Sequence, residues 1–182
     1  MVTELKIKSL KSEYTQLDAD DFSGIFRFVT KIIREILDLS RPGILLGLVE
    51  LGYSRGNFVG GFHRVGTNEI YLNHSALRIM KRDSTKKYFK AYIFHLLLHE
   101  YLHSCSIFNS DFLDETKVRE LTANLSLVIF GNQHEVGKLA TAGLGAYFPY
   151  SFKEAQYSPT MSELANPKFI MLKHRDSELT YI

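Results

Sequence analysis

Hydrophobic positions along the chain fall into alternating and helical stretches in a definite order. Between residues 3 and 10, Leu5 and Ile7 alternate with polar neighbours, which predicts a short N-terminal strand. From about Asp18 to Leu39 the apolar set Phe22, Ile25, Phe26, Val29, Ile32, Ile33, Ile36 and Leu37 recurs at three- and four-residue steps, and Arg41-Pro42-Gly43 ends it. That spacing predicts an amphipathic helix. Gly43 to Leu51, Phe58 to Val65 and Glu69 to Asn73 then read as short strands, the last two forming a hairpin around Gly66-Thr67-Asn68, with turn residues over Tyr53 to Asn57. Glu69 to Asn73 alternates in the way an edge strand does.

The second half of the pattern is helical. A short piece near His74 to Lys81 leads to the segment from about Thr85 to Ile107, whose apolar residues Tyr88, Phe89, Tyr92, Ile93, Leu96, Leu97 and Leu98 predict a central, largely buried helix. Asn109 to Asp114 is a polar break in which Asp111 and Asp114 are N-cap candidates. Val118, Leu121, Leu125, Val128 and Ile129 mark the next helix, ended by Gly131-Asn132, and about His134 to Leu144 marks another. The tail from Pro149 to Ile182 has no clear period. The order of elements predicts one α+β domain over residues 1–182, with an N-terminal part to about 105 carrying a small antiparallel or mixed sheet, and a helical C-terminal part over 106–182.

Composition narrows what such a domain does. Twenty-two basic against twenty acidic residues leave a formal charge of +2, too balanced for a phosphate-tracking surface, so no nucleic-acid partner is expected. No apolar run approaches the roughly 20 residues that span a bilayer, and no secretory signal opens the chain, so a soluble, cytoplasmic protein is expected. The single cysteine, Cys105, rules out an intrachain disulfide.

The chemistry lies in the central helix. His99-Glu100-Tyr101-Leu102-His103 is an HExxH motif, which independent placement of this chain's residues would produce only about 0.02 times per sequence of this length. Positions four apart on an α-helix differ by about 40° in azimuth and about 6 Å in height, so both imidazoles reach one metal ion at roughly 2.0 to 2.1 Å. Glu100, beside the first of them, is placed to act on a water at that ion. His95, one turn earlier, extends the stripe as a packing or supporting residue. Cys105 is turned about 200° from His103 and reads as packing.

Catalytic zinc takes three protein ligands and keeps a fourth position open. Ser106 and Asn109 stand where the metzincin pattern has glycine and histidine, so the third ligand is expected among carboxylates of the next helix, chiefly Glu115 and Glu120. Glu115 lies four residues before Arg119, the spacing of an ordinary surface ion pair. Glu120 is the preferred ligand, with Asn124 four residues on as a support for a ring nitrogen of one ligating histidine.

HEYLH followed by Glu120-Leu121-Thr122-Ala123-Asn124 resembles the gluzincin metallopeptidases, whose second signature reads ExxAD or ExxAN, and among them the soluble minigluzincins most in size. The resemblance covers about residues 95 to 125. It implies a zincin-like fold, Zn2+ held by His99, His103 and Glu120, Glu100 as general base and acid, and an extended peptide bound along an edge strand, for which Glu69 to Asn73 stands in a suitable place. A Tyr, His or Arg is the expected type of oxyanion stabiliser; His134, Tyr147, Tyr157 and His174 lie downstream, and spacing selects none of them. The resemblance also implies, from some minigluzincins, a tail that blocks the cleft. The expected function is a zinc endopeptidase acting on peptides or proteins. The alternatives are a catalytically inactive gluzincin-like module that binds a peptide or a regulatory partner, and a DNA-associated protease, which the charge does not support.

Overall fold

Why the chain starts as a helix is visible in its first cap. The computed structural model of the protein describes residues 3–49 and 60–142, and the backbone of 169–171. Thr3 accepts a hydrogen bond from the Lys6 amide and opens α1 (Glu4–Gln16), where a strand was expected. Leu5, 81% exposed, contributes nothing to the core, whereas Leu10 and Tyr14, four residues apart, are buried. The helical spacing therefore outweighs the two-residue alternation.

Asp21 caps α2 (Phe22–Leu37) by accepting from the Gly24 amide at 2.8 Å, and the helix ends at Asp38 in a left-handed conformation, three residues before the expected stop. Its stripe of Ile25, Phe28, Val29, Ile32 and Ile33 is fully buried. The strands β1 (Leu45–Val49), β2 (Gly61–His63) and β3 (Glu69–Asn73) follow as read, with β4 (Phe169–Met171) added from the tail. The sheet has the order β2-β3-β1-β4, with β1 and β3 parallel and the outer pairs antiparallel. The hairpin turn between β2 and β3 carries Gly66 at φ +80°, a conformation that favours glycine. Glu69 to Asn73 is an interior strand, paired on both sides, and not the edge that its alternation predicts. Alternation records which face is buried and carries no information on how many neighbours a strand has.

Asn73 accepts from the Ser75 amide and opens α3 (His74–Asp83); Thr85 likewise accepts from Tyr88 at the start of α4 (Lys86–Ser104). Almost every residue of α4 from Phe89 to Leu102 is buried, because α2, α5, α6 and the sheet surround it. Two 3-10 turns, Cys105–Ile107 and Ser110–Leu113, reverse the chain into α5 (Glu115–Phe130), capped by Asp114, and α6 (Glu135–Ala142) closes that side. The architecture is α+β with a small mixed sheet. Among the described residues no helix is long and apolar enough to cross a membrane. Tyr53 to Asn57 and the tail apart from β4 lie outside the described residues.

Candidate metal centre

His99 and His103 lie one turn apart on α4, and their rings meet edge to face with centroids 4.7 Å apart. Their Nε2 atoms are 3.1 Å apart. Helix geometry alone produces this convergence, since the intervening turn separates them by only about 40°.

The third donor comes from the reversal after α4. The Asp114 carboxylate accepts from the amides of Thr116 and Lys117, which fixes the start of α5 and delivers Glu115, its first residue, to the histidine pair. Glu115 Oε2 is 3.0 Å from His103 Nε2, and Oε1 is 3.4 Å from His99 Nε2. His99, His103 and Glu115 are the one group of three potential metal ligands that converges among the described residues. This differs from the expectation of Glu120. At about 100° per residue, Glu120 and Asn124 stand roughly 140° and 180° round α5 from Glu115. Both are exposed, while Glu115 shares its side with buried Val118 and Thr122. The expected Glu115–Arg119 ion pair does form, at 2.7 Å, but it uses only part of the carboxylate.

The donor set fits a tetrahedral ion. Ligands about 2.05 Å from zinc at tetrahedral angles are about 3.3 Å from one another. The His99–His103 nitrogen separation of 3.1 Å and the 3.0 Å from His103 Nε2 to Glu115 Oε2 lie within a few tenths of that value, and the other carboxylate oxygen, Oε1, is the one that stands 3.4 Å from His99 Nε2. The hydrogen-bonding pattern points the same way. His103 Nδ1–H donates to the Phe112 carbonyl at 2.8 Å, which in the neutral ring leaves Nε2 with a lone pair. That lone pair faces a carboxylate oxygen, so a proton or a cation must stand between them. The Phe112 carbonyl performs the supporting role expected of Asn124.

Burial dominates the electrostatics. It pushes His99 down to about 4, with His103 adding to the shift and Glu115 opposing it. His95, whose Nδ1 is buried without a hydrogen-bond partner among the described residues, is also pushed by burial to about 4. Both rings stay neutral at ordinary pH, as ligation requires. Burial, aided by the charge of Glu115, pushes Glu100 up to about 8, against a backbone hydrogen bond from His63. The Glu115 carboxyl is held below its usual range, since His99, Arg119 and His103 outweigh burial.

An open cleft of about 260 Å³ lies over these groups, between β2 and the α4–α5 reversal. Gly61 and His63 form its strand side, and a Cβ on Gly61 would lie 2.7 Å from the Tyr71 carbonyl and 3.4 Å from Cγ of Glu100. Only glycine lets β2 lie this close to the Tyr71 carbonyl of β3, while Glu100 stands at ordinary contact distance. Val65 and Leu113, both largely exposed, form an apolar rim. The sheet order makes β2, not β3, the outer strand beside the site.

His134 stacks on Phe130, and its Nδ1 accepts from the Val136 amide, so it is engaged in packing. Tyr147, Tyr157 and His174 lie outside the described residues. Cys105 is buried, and burial pushes its thiol up to about 11. Spacing alone misses His63 and the Phe112 carbonyl, because both reach the site through tertiary contacts. Glu115 carried a signal of its own: it directly follows Asp114, an N-cap candidate, and so begins a helix. No protein family, characterised protein or solved structure matches the chain. Likeness to gluzincins therefore rests on the two short motifs.

Proposed function

We propose that this chain is a zinc-dependent endopeptidase whose ligands are His99, His103 and Glu115, with Glu100 as general base and acid. The observation that carries the reading is the convergence of two imidazole nitrogens and a carboxylate, one donor atom of each within 4.8 Å of the others, with a buried glutamate beside them. A nitrogen, nitrogen, oxygen donor set suits zinc. Zinc bound there supplies a Lewis acid that acidifies water and polarises a carbonyl.

The chain's own groups do the rest. Glu100 accepts a proton from the attacking water as its oxygen bonds to the scissile carbonyl carbon, then delivers that proton to the nitrogen as the C–N bond breaks. Burial pushes its pKa up to about 8 without metal; a cation beside it would favour the ionised carboxylate, the form that accepts the proton. The His63 amide holds it in place. A peptide substrate is favoured because β2 is an outer strand running along the cleft, and such a strand offers main-chain hydrogen bonds to an extended chain. A cytoplasmic setting agrees with the single, buried cysteine.

The reading is tested with purified protein, its zinc content measured at the absorption edge, and a peptide library analysed by mass spectrometry. Expected are about one zinc per chain and cleavage that disappears with chelator or with Glu100→Gln, while Glu100→Gln retains zinc. Cleavage that survives in Glu100→Gln, or no zinc uptake, overturns it.

A further inference from the structure

Glu115 is asked to do two things at once. Its carboxylate faces both imidazoles, yet it sits on the first turn of α5 with its side chain half exposed. A glutamate there has several solvated rotamers, and holding one of them costs conformational entropy. The Nε–H of Arg119, one turn along the same helix, donates to Glu115 Oε1 at 2.7 Å. That bond turns the carboxylate plane so that Oε2 faces His103 Nε2 at 3.0 Å.

We propose that Arg119 is a positioning residue for the metal: it presets the Glu115 carboxylate as a ligand and thereby raises zinc affinity. The inference rests on the zinc reading given above. The guanidinium suits the task because its planar N–H groups fix an orientation, where an ammonium supplies only a charge. Arg119 is 73% exposed, so its repulsion of a nearby cation is screened by water while the hydrogen bond remains. Orientation and charge therefore predict opposite signs. A residue that orients the ligand makes zinc bind more weakly when it is removed; a residue that merely adds positive charge makes zinc bind more tightly when it is removed.

The test is zinc affinity measured by competition with a chromophoric chelator at 0.15 M salt, for the wild type, Arg119→Ala, Arg119→Lys and Glu115→Ala. Outer partners of metal ligands typically contribute 10–100-fold, so Arg119→Ala is expected to weaken zinc about 10-fold, with Arg119→Lys between it and the wild type. Melting of the metal-free variants is expected to match the wild type, and the visible bands of the cobalt-loaded protein to shift in Arg119→Ala. Unchanged or tighter zinc binding in Arg119→Ala, in a wild type that does bind zinc, overturns the role of Arg119 alone. A wild type that binds zinc no better than Glu115→Ala overturns Glu115 as a ligand and this inference with it, and a wild type that takes up no zinc overturns the metal reading as well.

Discussion

His103 and Glu115 approach within 3.0 Å through an imidazole nitrogen and a carboxylate oxygen, although twelve residues and two 3-10 turns separate them in the chain. With His103 Nδ1–H already given to Phe112, the pair presents two electron-rich atoms to each other. The reversal between α4 and α5 is thus what converts a two-histidine helix into a three-donor centre.

Glu115→Ala is expected to lower zinc affinity by more than about 100-fold, while Glu120→Ala leaves it unchanged. Zinc stoichiometry after dialysis distinguishes them. Loss of zinc in Glu120→Ala with retention in Glu115→Ala would reassign the ligand to the residue that the ExxAN signature implies.

The metal-free protein is expected to be most stable near pH 6.5. His95 and His99 titrate near 4 in the fold against an ordinary 6.5, so the unfolded chain takes up protons first and stability falls as pH drops from 6.5 toward 4. Glu100 titrates near 8 against an ordinary 4.5, so the native state holds a proton that the unfolded chain has released, and stability falls as pH rises toward 8. Below pH 6.5 His95 and His99, joined by His63 and His134, which burial also holds below the usual histidine range, outweigh the single glutamate; toward pH 8 Glu100 dominates. Thermal melts with chelator between pH 5 and 8.5 check this. Glu100→Gln should flatten the alkaline limb, and a wild-type midpoint still climbing at pH 8 would contradict the assignment.

Gly61→Ala is expected to cost about 1–3 kcal/mol and to push β2 off its neighbour β3, because the added methyl meets the Tyr71 carbonyl at 2.7 Å, a backbone atom that cannot swing aside. Urea unfolding measures the loss. Proteolytic activity should fall further than stability does, since the same shift withdraws the His63 amide from Glu100.

Asp114→Ala removes the acceptor for two amides at the start of α5 and is expected to cost about 1 kcal/mol. Because Glu115 is the next residue, zinc affinity should weaken in the same variant. An intact affinity would show that the first turn holds its place without the cap.

Helices α2, α4 and α5 were legible because their apolar residues repeat at the helical period, and HExxH placed His99, Glu100 and His103 together on one such helix. α1 was not: Leu5 and Ile7 mimic a strand, and the informative pair, Leu10 and Tyr14, begins at the last residue of that stretch and ends beyond it. The interior place of β3 depends on parallel pairing with β1, and β4 joins from more than a hundred residues away, a relation that local pattern does not encode. The choice between Glu115 and Glu120 turned on treating a surface ion pair and a ligand as exclusive roles. Arg119 engages one oxygen of Glu115 at 2.7 Å, and the carboxylate still reaches the imidazoles.

The sheet's far border is sealed by Phe169–Met171 lying against Val49, Leu48 and Gly47. A chain shortened at Pro159 forfeits that seal as well as any flap over the cleft, and leaves the amides and carbonyls along one side of β1 open to another copy of itself. Such a truncated protein should gather into oligomers on a sizing column, and one that stays monomeric would show that Phe169–Met171 are not what keeps β1 from pairing with a second copy.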